Sequence, residues 1–358
     1  MFGLRRERKK HITILSIDGG GIRGIIPITV LLALQRELSS LGLDQPLYAY
    51  FDLIAGTSTG ALIALGLAAP GDQSELKPAE PSGPFWKRRT HRQQPLLPAL
   101  TLEHILNMYE ERSREIFSKN RLRQIGALGQ IFMEKYDEQS LVNLLKETFA
   151  DRSLSDALTP LMITSFECLS GKPFLFTSYD PAPFCMWEAG RASTAAPTYF
   201  SPAFIPSPAT GKDLCFIDGG IAANNPALYA YLEARKLYPE AQRFSIFSIG
   251  TAGQSFSMPL QGLKRMGILD WISPSRGVPL IHAYASSQYN LTEEILSSEK
   301  QAVYHRIAGN TGSKPIPMDD VSRGNILRLK RVAAHICREQ RENIREFCTS
   351  CILPFHKA

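Results

Sequence analysis

Residues 11–27 read HITILSIDGGGIRGIIP: a mostly apolar run, one acid, then glycine at 19, 20, 21 and 24. A run so rich in isoleucine reads as a strand buried on both faces, the kind found in parallel sheets covered by helices. Pro27 suits the first turn of a helix, and ITVLLALQREL continues it. Strand, glycine turn and helix in succession commit this stretch to an α/β sheet. Gly19, Gly21 and Gly24 have the G-x-G-x-x-G spacing that cradles a dinucleotide pyrophosphate. The same backbone amides can hold the oxyanion formed when an ester is attacked. The rest of the chain has to decide between the two anions.

The alternation of strand and helix continues. YFDLIAG (50–56) is a second strand, and GALIALGLAA (60–69) a helix apolar all round, which must be buried. TLEHILNMYEERSREIF (101–117), with Thr101 placed as an N-cap, and DEQSLVNLLKETFA (137–150) carry helical periodicity. LMITSFECL and PFLFTSYD are strands joined by a tight Ser-Gly-Lys turn, and AGRASTAAPTYF is a small-residue helix ending at Pro197. LCFIDGG and RFSIFSIGT are further strands, separated by the helix NPALYAYLEARKLY. From about residue 314 the chain reads mostly as one charged amphipathic helix. The pattern predicts an α/β fold in three layers, α/β/α, around a mainly parallel sheet. One domain is expected over 11–313, with a helical extension at 314–358 packed on it. Prolines 70, 78, 81, 84, 95 and 98 prevent regular structure in the inserted stretch 70–100, which reads as a lid or a plain loop.

Active sites on such sheets form at the carboxyl ends of strands. That rule picks out Gly19–Gly24, Gly56–Gly60 and Asp218–Gly220. GTSTG, from Gly56 through Thr57, Ser58 and Thr59 to Gly60, is G-x-S-x-G between a strand and a helix. Glycines flank the serine because the sharp turn crowds its neighbours, and the hydroxyl is presented near a helix N-terminus that favours developing negative charge. Ser58 then needs a base. Histidines stand at 11, 91, 104, 282, 305, 335 and 356, none at a glycine-bounded strand end, so a triad histidine has little support. CFIDGG offers another base. Asp218 ends an apolar strand, and Gly219 and Gly220 let the chain turn away. A lone aspartate serves once burial and missing counter-charges raise its pKa.

The partners of the glycine loop fit the oxyanion better than the dinucleotide. A dinucleotide fold needs an acid at the end of the second strand for the ribose. Asp44 precedes Pro46 in a loop, and the second strand ends in GTSTG instead. Gly19, Gly20, Gly21, Ile22, Arg23 and Gly24, at a helix N-terminus beside a nucleophile elbow, therefore read as an oxyanion hole. Arg23 would add positive potential or pin the loop.

Together and in this order, DGGGIRG, GTSTG and DGG resemble the three motifs of the patatin-like phospholipase family. RASTAAPTYF (191–200) and SIGT (248–251) resemble its helper segments, so the resemblance spans about 11–251. It implies a patatin-like fold with Ser58 as nucleophile, Asp218 as lone base and Gly19–Gly24 as oxyanion loop. Such a dyad cleaves a lipid ester through an acyl-enzyme and needs no metal or organic cofactor. MDDVSRGNILRL (318–329) adds a resemblance to bacterial members, some of which are antiphage effectors switched on by a cyclic dinucleotide to degrade host membrane phospholipids. The implied partners are membrane phospholipids, a cyclic dinucleotide activator and a second copy of the chain on activation, at the inner face of the membrane in the cytoplasm. Two other readings stay open: a lipid acyl hydrolase without nucleotide control, and a dinucleotide-binding protein that uses the G-x-G-x-x-G loop.

Composition limits the remaining classes. At 358 residues with 44% apolar and 21% charged residues, the chain is neither disordered throughout nor collagen-like. A net charge of +6 is too small to argue for a DNA or RNA polymer as partner. The charge is patchy, however: Arg5, Arg6, Arg8, Lys9 and Lys10 form one cluster, and Lys87, Arg88, Arg89, His91 and Arg92 another. Both read as solvated surface, or as attraction to anionic head groups or another anionic ligand. Cysteines at 168, 185, 215, 337, 348 and 351 form no secreted framework and fit the reduced thiols of a cytosol. CTSC (348–351) near Cys337, His335 and His356 raises a zinc site, but 337, 344, 348 and 351 follow an apolar helical stripe, which makes these buried thiols. The apolar run before Asp18 is too short for a secretory signal, and GTSTG interrupts the run 53–69 that would otherwise pass for a membrane span.

Overall fold

A computed structural model describes residues 9–71, 96–117, 136–197, 199–252, 266–271, 279–309 and 316–356. Strand β1 (His11–Ile17) leads into a single three-ten turn, Gly21–Gly24, and then α1 (Ile25–Ser40). Strand β2 (Leu53–Thr57) and α2 (Thr59–Ala68) repeat the unit. Helices α3 (Leu102–Asn107) and α4 (Glu138–Phe149) precede the hairpin β3 (Leu161–Glu167) and β4 (Lys172–Thr177). Next come α5 (Met186–Ser193), β5 (Ala203–Pro206), β6 (Asp213–Asp218), α6 (Ala227–Leu237) and β7 (Arg243–Ile249). The last elements labelled are α7 (Pro279–Ser298), β8 (Ala302–Ile307), α8 (Arg323–Glu339) and α9 (Arg341–Phe347).

Among the described residues, eight strands lie in one sheet, ordered β5-β6-β3-β2-β1-β7-β8 with β4 also on β3. From β3 to β8 the pairings are parallel; β4 and β6 run antiparallel to β3. Alternate residues of one strand feed two cores. Ile12 and Ile14 of β1 pack with Ala227, Ala230 and Tyr231 of α6, whereas Leu15 and Ile17 join α1 and α2 on the other face. β7 repeats this, with Phe244 and Ile246 on the α6 side and Phe247 and Ile249 on the other. Burial on both faces is why these strands are mostly apolar, broken after their first residue only by the small hydroxyl residues Thr13, Ser16, Ser245 and Ser248, which are buried too. The result is the three-layer α/β/α arrangement expected.

The crowding of partners on β3 places the site. β4 pairs along Met162–Glu167 and so fills one edge. The opposite edge is shared: β2 takes Leu161–Thr164 running parallel, and β6 takes Ser165–Glu167 running antiparallel. The carboxyl ends of β2 and β6 therefore meet head-on, with Thr57 opposite Thr164 and Asp218 opposite Ser165.

Two elements differ from the sequence reading. α5 stops at Ser193 rather than at Pro197, because the carbonyls beyond it are used elsewhere: Ser193 O accepts from Gly219 N–H at 3.2 Å and Ala195 O from Asp218 N–H at 2.9 Å. The C-terminal helix begins at Arg323 and breaks at Gln340 before α9, a π turn at Cys348–Ile352 and Leu353–His356. A straight helix of that length would extend about 50 Å and leave the α1 face. Bending keeps Leu329, Ala333, Ile336, Ile344, Phe347 and Ile352 in the same core as α1.

Residues 53–69 are β2 and α2, and no helix among the described residues is long and apolar enough to cross a membrane. The expected lid falls outside the described residues except at its two ends, as do Arg5, Arg6, Arg8 and the cluster at 87–92. The boundary expected near residue 314 also lies outside them. Cys348 and Cys351 are fully buried, and no group of three or more potential ligands among the described residues could hold a metal.

Candidate active site

Ser58 sits at φ 52°, ψ −120°, between β2 and α2, in a region that strains any residue with a Cβ. Its hydroxyl makes no capping bond to α2, which leaves Oγ free for other work. Gly60 is required for a different reason: a Cβ there would collide with the carbonyl oxygen of Ile17, so α2 could not begin this close to β1. Ser58 Oγ donates to Asp218 Oδ2 at 2.7 Å, and Asp218 Oδ1 accepts from Gly220 N–H at 2.7 Å. Beneath them, the Thr57 and Thr164 hydroxyls share a hydrogen bond of 2.6 Å, and Thr57 Oγ1 donates to Ala223 O at 2.8 Å. The serine and aspartate meet because β2 and β6 end on consecutive residues of β3.

Asp218 is buried, and among the described residues it has no ion pair. Burial pushes its pKa up to about 6, against smaller opposite effects from the Gly220 amide and the Ser58 hydroxyl. A carboxylate so placed is ionised at neutral pH yet more basic than a free one. None of the described histidine side chains replaces it: His11 bonds Ser245, His305 bonds Asn343, His335 pairs with Glu339, His356 packs edge-on against Tyr50 and His104 is exposed on α3. His91 and the side chain of His282 lie outside the described residues.

The glycine loop packs directly on the serine. A Cβ at Gly19 would stand 3.2 Å from Ser58 Cβ and 2.5 Å from Asn224 Oδ1. Gly19 N–H donates to Asn224 O at 3.1 Å, and Gly19 O accepts from Thr251 Oγ1 at 2.7 Å. Ile22 N–H donates to Met318 O at 2.8 Å, and the Arg23 backbone N–H and Nε both donate to Gly20 O at 3.2 Å. Arg23 thus pins the loop. Among the described residues, the Gly20 and Gly21 N–H groups have no acceptor. β2 delivers Ser58 beside this loop, not a ribose-binding acid.

The sequence model of the family described as "Patatin-like phospholipase" matches residues 15–231, more than half of the chain, and so takes in all three motifs. The chain belongs to the patatin-like phospholipase family. That family is one of lipid acyl hydrolases. The chain is 29% identical over 364 residues to "Patatin-like protein 2" of Oryza sativa subsp. indica, covering 91% of this chain and 84% of the rice protein. It is 27% identical over 354 residues to "Probable inactive patatin-3-Kuras 1" of Solanum tuberosum, covering 92% and 87% of the two chains. Among solved structures, VipD from Legionella pneumophila aligns at 16% identity and a TM-score of 0.33, over 91% of this chain and 67% of its own.

Several residues of this patatin-like site escaped the motif reading. Ser193 Oγ accepts from Ser58 N–H at 2.8 Å. It stands in RASTAAPTYF, so the segment was visible though the contact was not. Tyr109 is half-buried, and its hydroxyl bonds both Thr59 Oγ1 and, at 3.1 Å, Thr59 O. Arg306 holds the fully buried Asp18 through bonds of 2.9 and 2.6 Å. Tyr109 and Arg306 carry no local sequence signal, because they reach the site only through the fold.

Proposed function

We propose that this protein is a serine lipid acyl hydrolase working through a Ser58–Asp218 dyad on membrane phospholipids. The observation that carries the reading is the 2.7 Å hydrogen bond from Ser58 Oγ to a buried carboxylate whose pKa is raised to about 6. As Ser58 Oγ attacks the ester carbonyl, its proton passes to Asp218 Oδ2. The developing oxyanion is met by the Gly20 and Gly21 amides, a kind of donor whose single loss costs roughly 10²–10³ in kcat. Collapse expels the alcohol, which takes the proton from Asp218 and leaves the acyl group on Ser58. Water then attacks the acyl-enzyme, gives its proton to Asp218, and Ser58 recovers it as the fatty acid departs. Every proton is handed between Ser58, Asp218 and the substrate oxygens.

Control by a cyclic dinucleotide in antiphage defence, in a bacterial host, is the finer part of the proposal. It is supported by the resemblance of residues 318–329 and by nothing in the site itself. The test is to incubate the protein with phosphatidylethanolamine–phosphatidylglycerol vesicles, with and without a panel of cyclic dinucleotides, and to identify the products by mass spectrometry. Fatty acid released by the wild type and not by Ser58→Ala, with fluorophosphonate labelling of Ser58, is the expected result. Near wild-type hydrolysis by Ser58→Ala refutes the dyad. Release that requires a cyclic dinucleotide supports the regulated form, and equal release without one removes it.

A further inference from the structure

We infer that Asn224 and Arg306 are positioning residues for the oxyanion: they fix Gly19 and Asp18, and thereby hold the Gly20 and Gly21 amides open toward the substrate. The inference rests on the Ser58–Asp218 reading above. Ser58 and Asp218 owe their geometry to strand ends on β3, whereas the glycine loop has already left the sheet after Ile17. Something else must aim it.

Asn224 grips Gly19 on both sides. Its backbone carbonyl accepts from Gly19 N–H at 3.1 Å, and its side-chain Nδ2 donates to Gly19 O at 3.3 Å. Thr251 Oγ1 shares the Gly19 carbonyl at 2.7 Å, so the peptide planes on both sides of Gly19 are held, and the Asn224 side chain sets the second direction of that hold. The two N–H groups that follow are left without acceptors among the described residues, an arrangement that costs free energy unless a ligand completes it. Asn224 Oδ1 also lies 3.1 Å from where a Cβ on Gly220 would stand, so one side chain leaves little room for a Cβ in either the oxyanion loop or the turn that carries Asp218.

A second anchor sits behind the first. Asn224 Nδ2 is bonded to the Tyr289 hydroxyl, and the Tyr289 ring faces the Arg306 guanidinium with 5.5 Å from its central carbon to the ring centroid. Arg306 grips both oxygens of Asp18, the residue immediately before the glycines, and also donates to Ser248 Oγ at 2.8 Å. A planar fork can do this; a point-charge ammonium can satisfy only part of it. Tyr289 and Arg306 lie beyond the span matched by the family model, residues 15–231.

The test is steady-state kinetics on a soluble p-nitrophenyl ester, with Asn224→Ala, Arg306→Met and Arg306→Lys in the full chain. Asn224→Ala keeps the backbone bond to Gly19 N–H and the Thr251 bond to Gly19 O, so it is expected to lose about 10-fold in kcat, a fraction of the roughly 10²–10³ of one oxyanion donor, with KM within twofold of wild type. The pH at which kcat/KM rises should not move, because the hydrogen bonds of Asp218 to Ser58 and Gly220 do not involve Asn224. Arg306→Met should fall in the same way and Arg306→Lys should recover part of the loss. Tyr304→Phe removes hydroxyl contacts to Asn225 and Ser248 on the same wall and should keep full kcat. Wild-type kcat in a folded Asn224→Ala protein, or a raised KM at unchanged kcat, overturns the inference. If Arg306→Met fails to fold, Asn224→Ala decides alone. An active Ser58→Ala protein would instead sink the dyad reading, whereas a dead Ser58→Ala beside a fully active Asn224→Ala sinks only this one.

Discussion

At the scale of the residue, Asp218 is the group whose chemistry and stability pull in opposite directions. Its pKa is about 6 in the fold, raised from 3.8. The base form dominates above 6, so kcat/KM should rise with pH through about 6 and then level off. The stability sign is the reverse. A carboxyl that binds its proton more tightly when folded stabilises the fold fully below the unfolded pKa, and that stabilisation is lost as pH rises through the folded one. Two pKa units correspond to about 3 kcal/mol at most. Asp218→Asn should therefore be inactive yet melt higher than wild type at pH 8, with the difference closing near pH 4, as calorimetry at both pH values would show. An Asp218→Asn protein no more stable than wild type at pH 8 would remove the argument. Ser58 and Asp218 were legible in the sequence because the neighbouring glycines and strand ends that shape them are local. Arg306 and Asn224 were not, since their bonds to Asp18 and Gly19 span 288 and 205 residues.

At the scale of the element, one of the tight junctions is between β1 and α2. A methyl group on Gly60 meets the backbone of Ile17, which has no flexible end to swing away. Gly60→Ala should cost about 1–3 kcal/mol, the range for overpacking a filled core, and should displace Ser58 from Asp218. Urea unfolding and ester turnover on one preparation check both, and a Gly60→Ala protein as stable and active as wild type would show that the junction yields. Caps and the tight hairpin were readable: Thr101 accepts from His104 N–H as expected, and β3 and β4 pair across the Ser-Gly-Lys turn. The ends of α5 and α8 were not. Periodicity marks which residues face inward, but α5 stops where the Asp218–Gly219 backbone takes its carbonyls. α8 stops where a straight course would leave the core.

For the whole molecule, the isoleucine-rich run of β1 and the alternation of strands with helices foretold a sheet covered on both faces, which is what the two cores show. The net charge of +6 leads to a prediction at this scale. Attraction to an anionic bilayer is screened over a Debye length of about 8 Å at physiological salt and about 3 Å at 1 M. Hydrolysis of phosphatidylglycerol-rich vesicles should therefore exceed that of neutral vesicles at low salt, and the two rates should converge toward 1 M. Equal rates at every salt concentration would show that the charge does not steer the protein to its substrate. The head-on meeting of β2 and β6 has a further consequence, for how the protein fails. Ser58 and Asp218 face each other across a seam in the sheet, registered by adjacent residues of β3 and not by a hinge or a movable loop. No local opening can part them while β3 keeps its partners. On heating, the Ser58–Asp218 contact should be lost only as the sheet melts, and any earlier loss of turnover would come from the glycine loop, which lies outside the sheet.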